Sequence, residues 1–150
     1  LLGEEPVVLY ASASCLVEPA IGEVGDVDTA VVTLRTRSGV QVVISNSRRA
    51  TYGYDQRIEV LGSGGMLQAG NVLGSTVSRW NGDGVAGDKP LNFFLERYGA
   101  AYRAEWDAFV GAVEAGRPIR PDAVDGRKAL VLADAATRSA STGQPVAIQF

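Results

Sequence analysis

The chain has 150 residues, of which 46% are hydrophobic and 21% are charged, and its formal net charge is −3. These values are typical of a single globular domain that is long enough for a core, and they exclude an intrinsically disordered chain. The mild negative charge argues against a nucleic-acid partner or an anionic membrane surface. We also expect no membrane span, because the longest apolar runs, residues 7–11 and 129–133, are far too short.

The counts of histidine and cysteine narrow the chemistry further. Histidine is absent, so no His-dependent base, His metal ligand or Ser-His-Asp triad can form. Cys15 is the single cysteine, which excludes an intrachain disulfide and makes the reducing cytoplasm the simplest location. We predict no catalytic residue and no metal site within this chain.

Short runs rich in β-branched and aromatic residues predict strands in the first two thirds of the chain. The predicted strands are residues 6–13, 29–37, 40–45, 57–62, 66–69 and 76–80. Residues 38–39 and 63–65 are tight hairpin connections, so the strands that they join run antiparallel. Residues 81–90 contain three glycines and show no periodicity, which predicts a loop.

The last third of the chain changes to helical periodicity. Apolar residues of segment 98–115 recur on one face, and we expect Tyr102 to pack in the core with its neighbours on that face. Asp122 predicts the N-cap of a second helix, with Asp125 three residues further on, and Gly143 predicts its C-cap. Residues 145–150 predict a final strand.

These elements predict an α+β fold. It has an open, mostly antiparallel sheet of about six strands, with two helices on one face. The second face of such a sheet is left without a cover. An apolar face does not stay in water, so we expect it to pair with another copy of the chain.

The best candidates for ligand contact lie between the predicted strands 40–45 and 57–62. Tyr52, Tyr54, Asp55 and Gln56 stand together there in a segment with little apolar bulk. Phenol, carboxylate and amide groups meet the hydrogen-bonding needs of a polyol, whose hydroxyls each donate and accept. From the residues alone, solvation of an exposed hairpin is the stronger interpretation.

Two other polar or glycine-rich features receive a structural interpretation. Residues 62–65, GSGG, lack the GxGxxG spacing and a following helix, so they predict a hairpin and not a nucleotide-binding turn. The paired carboxylates Glu4 and Glu5, and likewise Asp26 and Asp28, lie beside turn residues. We expect solvated surface charge at both pairs.

The segment YGYDQR, residues 52–57, resembles the C-terminal domain of the glucose-fructose oxidoreductase and inositol dehydrogenase family. Residues 18–34, 94–109 and 116–146 resemble the same family, so that the resemblance covers essentially the whole chain. YGYD together with NSRRA points to the inositol dehydrogenase branch. The resemblance implies a fold like the C-terminal domain of glyceraldehyde-3-phosphate dehydrogenase, which pairs through its open sheet in homodimers and homotetramers.

The resemblance also implies a function. Residues 1–150 would be the substrate-binding and oligomerisation domain of an oxidoreductase that oxidises a ring hydroxyl of inositol. The cofactor, NAD, would lie on an N-terminal Rossmann domain absent from this chain, so we expect the chain alone to be inactive. Tyr54 and then Tyr52 are implied as polyol contacts, and Asp55 is expected to orient the turn.

Part of the family's pattern has no counterpart in this sequence. The family's catalytic lysine comes from an EKP motif, and Lys89 and Lys128 lie outside any such motif. Two other classes stay open, a non-catalytic oligomerisation module and a free-standing sugar- or polyol-binding domain. The same domain of a related sugar dehydrogenase is a third alternative.

Overall fold

The computed structural model describes residues 3–150; Leu1 and Leu2, which begin the predicted domain, lie outside the described residues. The chain divides into two compact units. The first unit contains the described residues up to Arg49 together with Arg120–Phe150, and the second contains Ala50–Ile119. In chain order the elements are β1 (Pro6–Ser14), α1 (Pro19–Glu23), β2 (Thr29–Thr36), β3 (Gln41–Ser47), β4 (Ile58–Gly62), β5 (Gly65–Ala69), β6 (Ser78–Asn81), β7 (Gly84–Gly87), α2 (Phe94–Glu114), α3 (Ala123–Thr142) and β8 (Val146–Ala147).

A four-stranded sheet in the order β3-β2-β1-β8 forms the first unit, and its pairs are all antiparallel. Alternate residues of its strands face α3, because successive side chains of a strand point to opposite faces. Leu9 pairs with Leu34, and Ala11 pairs with Val32, and these residues are buried together with Ala135 of α3. Burial of a side chain such as Leu9, which is 2% exposed, stabilises the fold by about 1.5–3 kcal/mol.

Helix α3 begins and ends where the sequence predicts. The Asp122 side chain accepts hydrogen bonds from the backbone N–H groups of Val124 and Asp125, and the Asp125 carboxylate accepts one from the Asp122 N–H. This reciprocal arrangement is a capping box. Gly143 ends the helix in the left-handed conformation, with a φ of 66°, which glycine adopts without a steric penalty.

Ser139 attaches α3 to the sheet. Its side chain is fully buried, and its Oγ accepts a hydrogen bond from the backbone N–H of Ala11 at 2.9 Å. The same hydroxyl donates to the carbonyl oxygen of Gln144 at 2.7 Å. A buried hydroxyl that is satisfied in this way costs little and fixes the helix on β1.

The expectation of solvated charge is wrong for Asp28, which is 5% exposed. Its Oδ1 accepts from the Leu16 N–H and the Thr29 hydroxyl, and its Oδ2 accepts from the N–H groups of Val17 and Glu18, all at 2.8–2.9 Å. Burial alone would raise the pKa of Asp28, but these donors outweigh it and hold the pKa well below its usual range. Asp28 therefore stabilises the connection between β1 and β2 through buried hydrogen bonds to its backbone.

The second unit consists of two hairpins and α2. Strand β4 pairs with β5, and β6 pairs with β7. The strand β7 lies inside residues 81–90, where the sequence predicts a loop, so that prediction is wrong for this part. Its residues, GVAG, have few side chains that favour a strand, but their backbone pairs with β6. The turn is supported by Asn81, whose Oδ1 accepts from the Asp83 N–H at 3.0 Å.

Burial is sparse in the second unit. Between residues 50 and 119, all of which the structure describes, only Ala112 is buried. Helix α2 begins at Phe94, four residues before the predicted segment, and its predicted apolar face is open in this chain. Tyr102 is 49% exposed and Trp106 is 65% exposed, so the assignment of Tyr102 to the core is wrong.

The α+β class and the antiparallel pairing of its strands are confirmed. The strands are distributed differently from the prediction: four share one sheet, and the other four form two separate hairpins. Of the two long helices, α3 packs against the four-stranded sheet, and α2 belongs to the second unit. Within residues 3–150, none of the helices has the length and apolar character that a bilayer crossing requires.

Candidate functional site

The predicted ligand-contact residues lie in the connection between β3 and β4, within the second unit. Backbone hydrogen bonds hold this connection in place: the Tyr54 N–H donates to the carbonyl of Leu91 at 2.8 Å, and the Leu91 N–H donates to the carbonyl of Val72 at 3.0 Å. Three distant parts of the second unit are therefore linked through Leu91. A segment held by such bonds can present side chains in a defined direction.

Gly53 permits the close approach of this connection to Pro90. Its φ of +136° is a conformation that residues with side chains rarely adopt, and an added Cβ would lie 2.6 Å from the carbonyl oxygen of Pro90. Only glycine fits these two conditions. The glycine between Tyr52 and Tyr54 is thus required by backbone geometry.

Asp55 is the centre of a hydrogen-bonded network of side chains. Its Oδ1 accepts from Arg57 Nε at 2.8 Å and from Asn71 Nδ2 at 2.7 Å. Its Oδ2 accepts from Arg57 Nη2 at 2.9 Å and from the Tyr52 hydroxyl. The Arg57 contact is bidentate, which is the stronger form of an arginine–carboxylate pair.

The network moves the titrations of its members away from neutral pH. The Arg57 guanidinium, the Tyr52 hydroxyl and the Asn71 amide hold the pKa of Asp55 well below its usual range. The hydrogen bond to the Asp55 carboxylate raises the pKa of Tyr52, and the same carboxylate raises the pKa of Arg57. At neutral pH, Asp55 is therefore charged and Tyr52 keeps its proton.

Tyr54 belongs to an aromatic group at the start of α2. Its ring lies edge-on to that of Tyr98, with 5.6 Å between the ring centroids and 80° between the planes. Tyr98 in turn contacts Tyr102, with centroids 6.1 Å apart, and the Arg97 guanidinium carbon lies 5.5 Å from the Tyr98 ring centroid. The pKa of Tyr98 is raised, first by its interaction with the Tyr54 side chain and second by burial.

The structure brings Tyr52 and Asp55 into direct contact and places Tyr54 beside them on the same backbone segment. Arg57 and Asn71 were not predicted from the sequence as members of this site. Arg57 follows Asp55 by two residues, a spacing that places both on the same side of an extended chain. Asn71 is sixteen residues from Asp55, and no local pattern marks it.

The hydroxyl and carboxylate groups of this arrangement are suited to hydrogen bonding with a ligand. Efficient general acid–base catalysis needs a group whose pKa lies near the working pH. The shifts of Asp55, Tyr52 and Tyr98 all lead away from neutrality. Hydroxyl groups on a rigid backbone segment can bind a hydroxyl-rich ligand without reacting with it.

The structure defines an α+β domain in which the connection between β3 and β4 carries a hydrogen-bonded network of polar side chains centred on Asp55. The family model described as oxidoreductase family, C-terminal alpha/beta domain, matches residues 1–148. The chain belongs to that family.

Known relatives of this chain include dehydrogenases of inositol. The chain is 49% identical over 148 residues to the inositol 2-dehydrogenase of Rhizobium meliloti strain 1021, covering 99% of this chain and 45% of that protein. It is similar to the crystal structure of a myo-inositol dehydrogenase from Corynebacterium glutamicum, with a TM-score of 0.92 and 41% identity over 97% of this chain and 44% of that one. A myo-inositol dehydrogenase from Lactobacillus casei, solved in complex with NAD(H) and myo-inositol, has a TM-score of 0.81 and 25% identity over 99% of this chain and 43% of that one. The chain therefore spans less than half the length of these relatives.

Proposed function

We propose that this chain is the substrate-binding and oligomerisation domain of an NAD-dependent inositol 2-dehydrogenase, which oxidises myo-inositol to its 2-keto form. The observation that carries the proposal is the 49% identity to the inositol 2-dehydrogenase of Rhizobium meliloti, sustained over 99% of this chain. The aligned span of 148 residues includes the YGYD segment.

In this proposal the polyol is bound by hydrogen bonds from the connection between β3 and β4. Tyr54, held by the Leu91 carbonyl and the Tyr98 ring, contacts the substrate directly. Tyr52, which is 47% exposed, is the second contact. Asp55 belongs to the site because it orients Tyr52.

The cofactor belongs to another part of the enzyme in this proposal. NAD accepts the hydride that leaves the substrate carbon, and it is bound by an N-terminal Rossmann domain. Residues 62–65, the glycine-rich segment, close the β4–β5 hairpin and do not precede a helix, so they do not fit a pyrophosphate. The role of this chain is to bind and orient the polyol in the cytoplasm, where Cys15 remains a free thiol.

The second role of this chain in the proposal is to form the oligomer. Tyr10, Thr33 and Val43 are cross-strand neighbours in the first unit, and they alternate with the residues that face α3. Tyr10 is 42% exposed and Val43 is 68% exposed, so this row leaves apolar surface in water. We propose that homodimers or homotetramers form through this face.

The test is inositol-dependent NADH formation by this chain alone and by the same chain joined to an N-terminal NAD-binding domain of the family. We expect turnover by the joined enzyme only. In that enzyme Tyr54→Phe should raise the KM for inositol by about tenfold, the effect of about 1.4 kcal/mol of lost binding, with the KM for NAD unchanged. The KM for NAD is the internal control, because in this proposal NAD is bound by the other domain.

The outcomes separate the alternatives. Turnover by the 150-residue chain itself would overturn the division of roles. Inositol binding without turnover by the joined enzyme would favour a non-catalytic polyol-binding module. An unchanged KM in Tyr54→Phe would remove Tyr54 from the site, and turnover of another sugar in place of inositol would identify a related sugar dehydrogenase.

A further inference from the structure

The carboxylate of Asp55 has no acceptor position left for a ligand. An ionised carboxylate offers about four lone-pair sites, and the hydrogen bonds from Arg57, Asn71 and Tyr52 number four. A substrate hydroxyl could bind Asp55 only by displacing one of these donors. Asp55 therefore acts on a ligand through its partners.

The orientation of the Asn71 amide is determined from both sides. Its Oδ1 accepts a hydrogen bond from the backbone N–H of Gln56 at 2.8 Å, which requires an oxygen at that position. The amide NH₂ group is then directed to Asp55 Oδ1, at 2.7 Å. Asn71 thus connects the backbone next to Asp55 with the Asp55 carboxylate.

The hydrogen bond to Asp55 decides whether Tyr52 can donate or accept a further hydrogen bond. Its single hydroxyl proton is donated to Asp55, and the two lone pairs of its oxygen remain. Because Tyr52 is 47% exposed, a ligand can reach this oxygen. Tyr52 in this state accepts a hydrogen bond and cannot donate one.

We propose that Asn71 is a positioning residue of the polyol site, which acts through Asp55 to hold Tyr52 as a hydrogen-bond acceptor for one substrate hydroxyl. This inference rests on the proposed function, because it concerns the same site and the same ligand class. Arg57 supports the same arrangement with its bidentate contact. Asn71 is the more informative target, because it takes no part in the Arg57–Asp55 ion pair.

The experiment compares Asn71→Asp and Asn71→Ala in the enzyme that carries an NAD-binding domain. The aspartate keeps an acceptor for the Gln56 N–H but replaces the donor to Asp55 with a second carboxylate. Two neighbouring carboxylates share a proton as the pH falls. When the aspartate introduced by Asn71→Asp is protonated, its O–H can donate to Asp55 in place of the lost amide. The charged group that Asn71 contacts is the Asp55 carboxylate, and Arg57 and Tyr52 are bonded to that carboxylate in turn.

Both variants should raise the KM for inositol by about tenfold relative to the parent at about pH 8, with the KM for NAD unchanged. As the pH falls towards about 4.5, the ratio should decrease in Asn71→Asp and stay high in Asn71→Ala. The control is Asn81→Asp, which adds the same charge at the end of β6 and should keep the parent KM at both pH values.

Two results would overturn the inference. One is a parent KM in both Asn71 variants. The other is an equal, pH-independent rise in both, together with a lowered Tm, which would make Asn71 a purely structural residue. Failure of the proposed function is recognised separately, because the parent enzyme itself would then not oxidise inositol.

Discussion

Asp28 and Asp55 are carboxylates with a strongly lowered pKa, and different donors lower it in each case. Asp28 is held mainly by backbone N–H groups of the connection between β1 and β2. Asp55 is held by the side chains of Arg57, Tyr52 and Asn71. Backbone donors belong to the folded chain itself, whereas side-chain donors also orient one another. Asp28 therefore serves the fold, and Asp55 serves the orientation of Tyr52.

Asp28→Asn should lower the stability of the first unit at neutral pH. The Asp28 oxygens each accept hydrogen bonds from backbone or hydroxyl donors, so either orientation of the amide places its NH₂ group against N–H donors. A buried donor without an acceptor is costly. Thermal unfolding should show a Tm several degrees below that of the parent chain.

The effect of Asp28→Asn on the Tm should depend on pH. The folded-state pKa of Asp28 is lowered, so its stabilisation is complete above the unfolded-state pKa of about 3.9 and is lost as the pH falls towards the folded-state pKa. The difference in Tm between the parent and Asp28→Asn should therefore be constant from neutral pH to about pH 5 and decrease below about pH 4. Asp26→Asn, an exposed control, should leave the Tm nearly unchanged. A constant difference down to low pH would contradict the assignment.

At the scale of elements, helix α3 is specified by its own ends. The capping box of Asp122 and Asp125 satisfies backbone donors that an α-helix leaves without partners, and Ser139 attaches the helix to β1.

By contrast, β4–β5 and β6–β7 are two-stranded hairpins with exposed residues. A two-stranded hairpin alone is marginally stable in water. Local stability should therefore be greater in the first unit.

Asp122→Ala should lower the free energy of unfolding by about 1 kcal/mol, because it removes the acceptor for the N–H groups of Val124 and Asp125. The matched control is Asp134→Ala, which removes an exposed carboxylate from the middle of the same helix and should have a much smaller effect. Denaturant unfolding followed by circular dichroism measures both. Equal effects of the two substitutions would mean that the cap contributes nothing specific.

At the scale of the whole molecule, the proposed assembly depends on which face of the four-stranded sheet is open. Val32 is 9% exposed and belongs to the core with α3. Thr33 is its neighbour in β2, and it lies on the opposite face next to Tyr10 and Val43. A shift of one residue along a strand changes the face, so adjacent substitutions distinguish folding from assembly.

Thr33→Glu should reduce the mass of the intact enzyme in solution to that of a smaller oligomer or monomer while the Tm of the subunit is largely kept. A charge on each copy would be brought into a shared apolar interface, where it is poorly solvated. Val32→Glu should instead lower the Tm strongly, because it places a charge in the core. Light scattering after size exclusion measures the mass. Retention of the parent mass by Thr33→Glu would place the interface elsewhere.

Local features of the fold were predictable from the sequence because nearby residues specify them. The capping box and C-cap of α3 and the hairpin turn at residues 38–39 follow from residue types at short spacing. The antiparallel pairing of β2 with β3 follows from that turn. The identity of Tyr52, Tyr54 and Asp55 as one segment is likewise local, although their use as a polyol site remains a prediction.

Other features were decided by contacts between residues that are distant in sequence. Asp28 reads as a surface residue, and only the folded connection between β1 and β2 brings the N–H groups of Leu16, Val17 and Glu18 to its carboxylate. Asn71 meets Asp55 across sixteen residues.

The sequence by itself determined the α+β class, the ends of α3 and the turns that make neighbouring strands antiparallel, because these depend on interactions within a few residues. Only the tertiary structure decided how the strands divide into one sheet and two hairpins, which carboxylates are buried, and which side chains orient Tyr52. The physical reason is that a strand can pair with many other strands, and a carboxylate can bond to many different donors. The choice among them is made by packing of the whole chain.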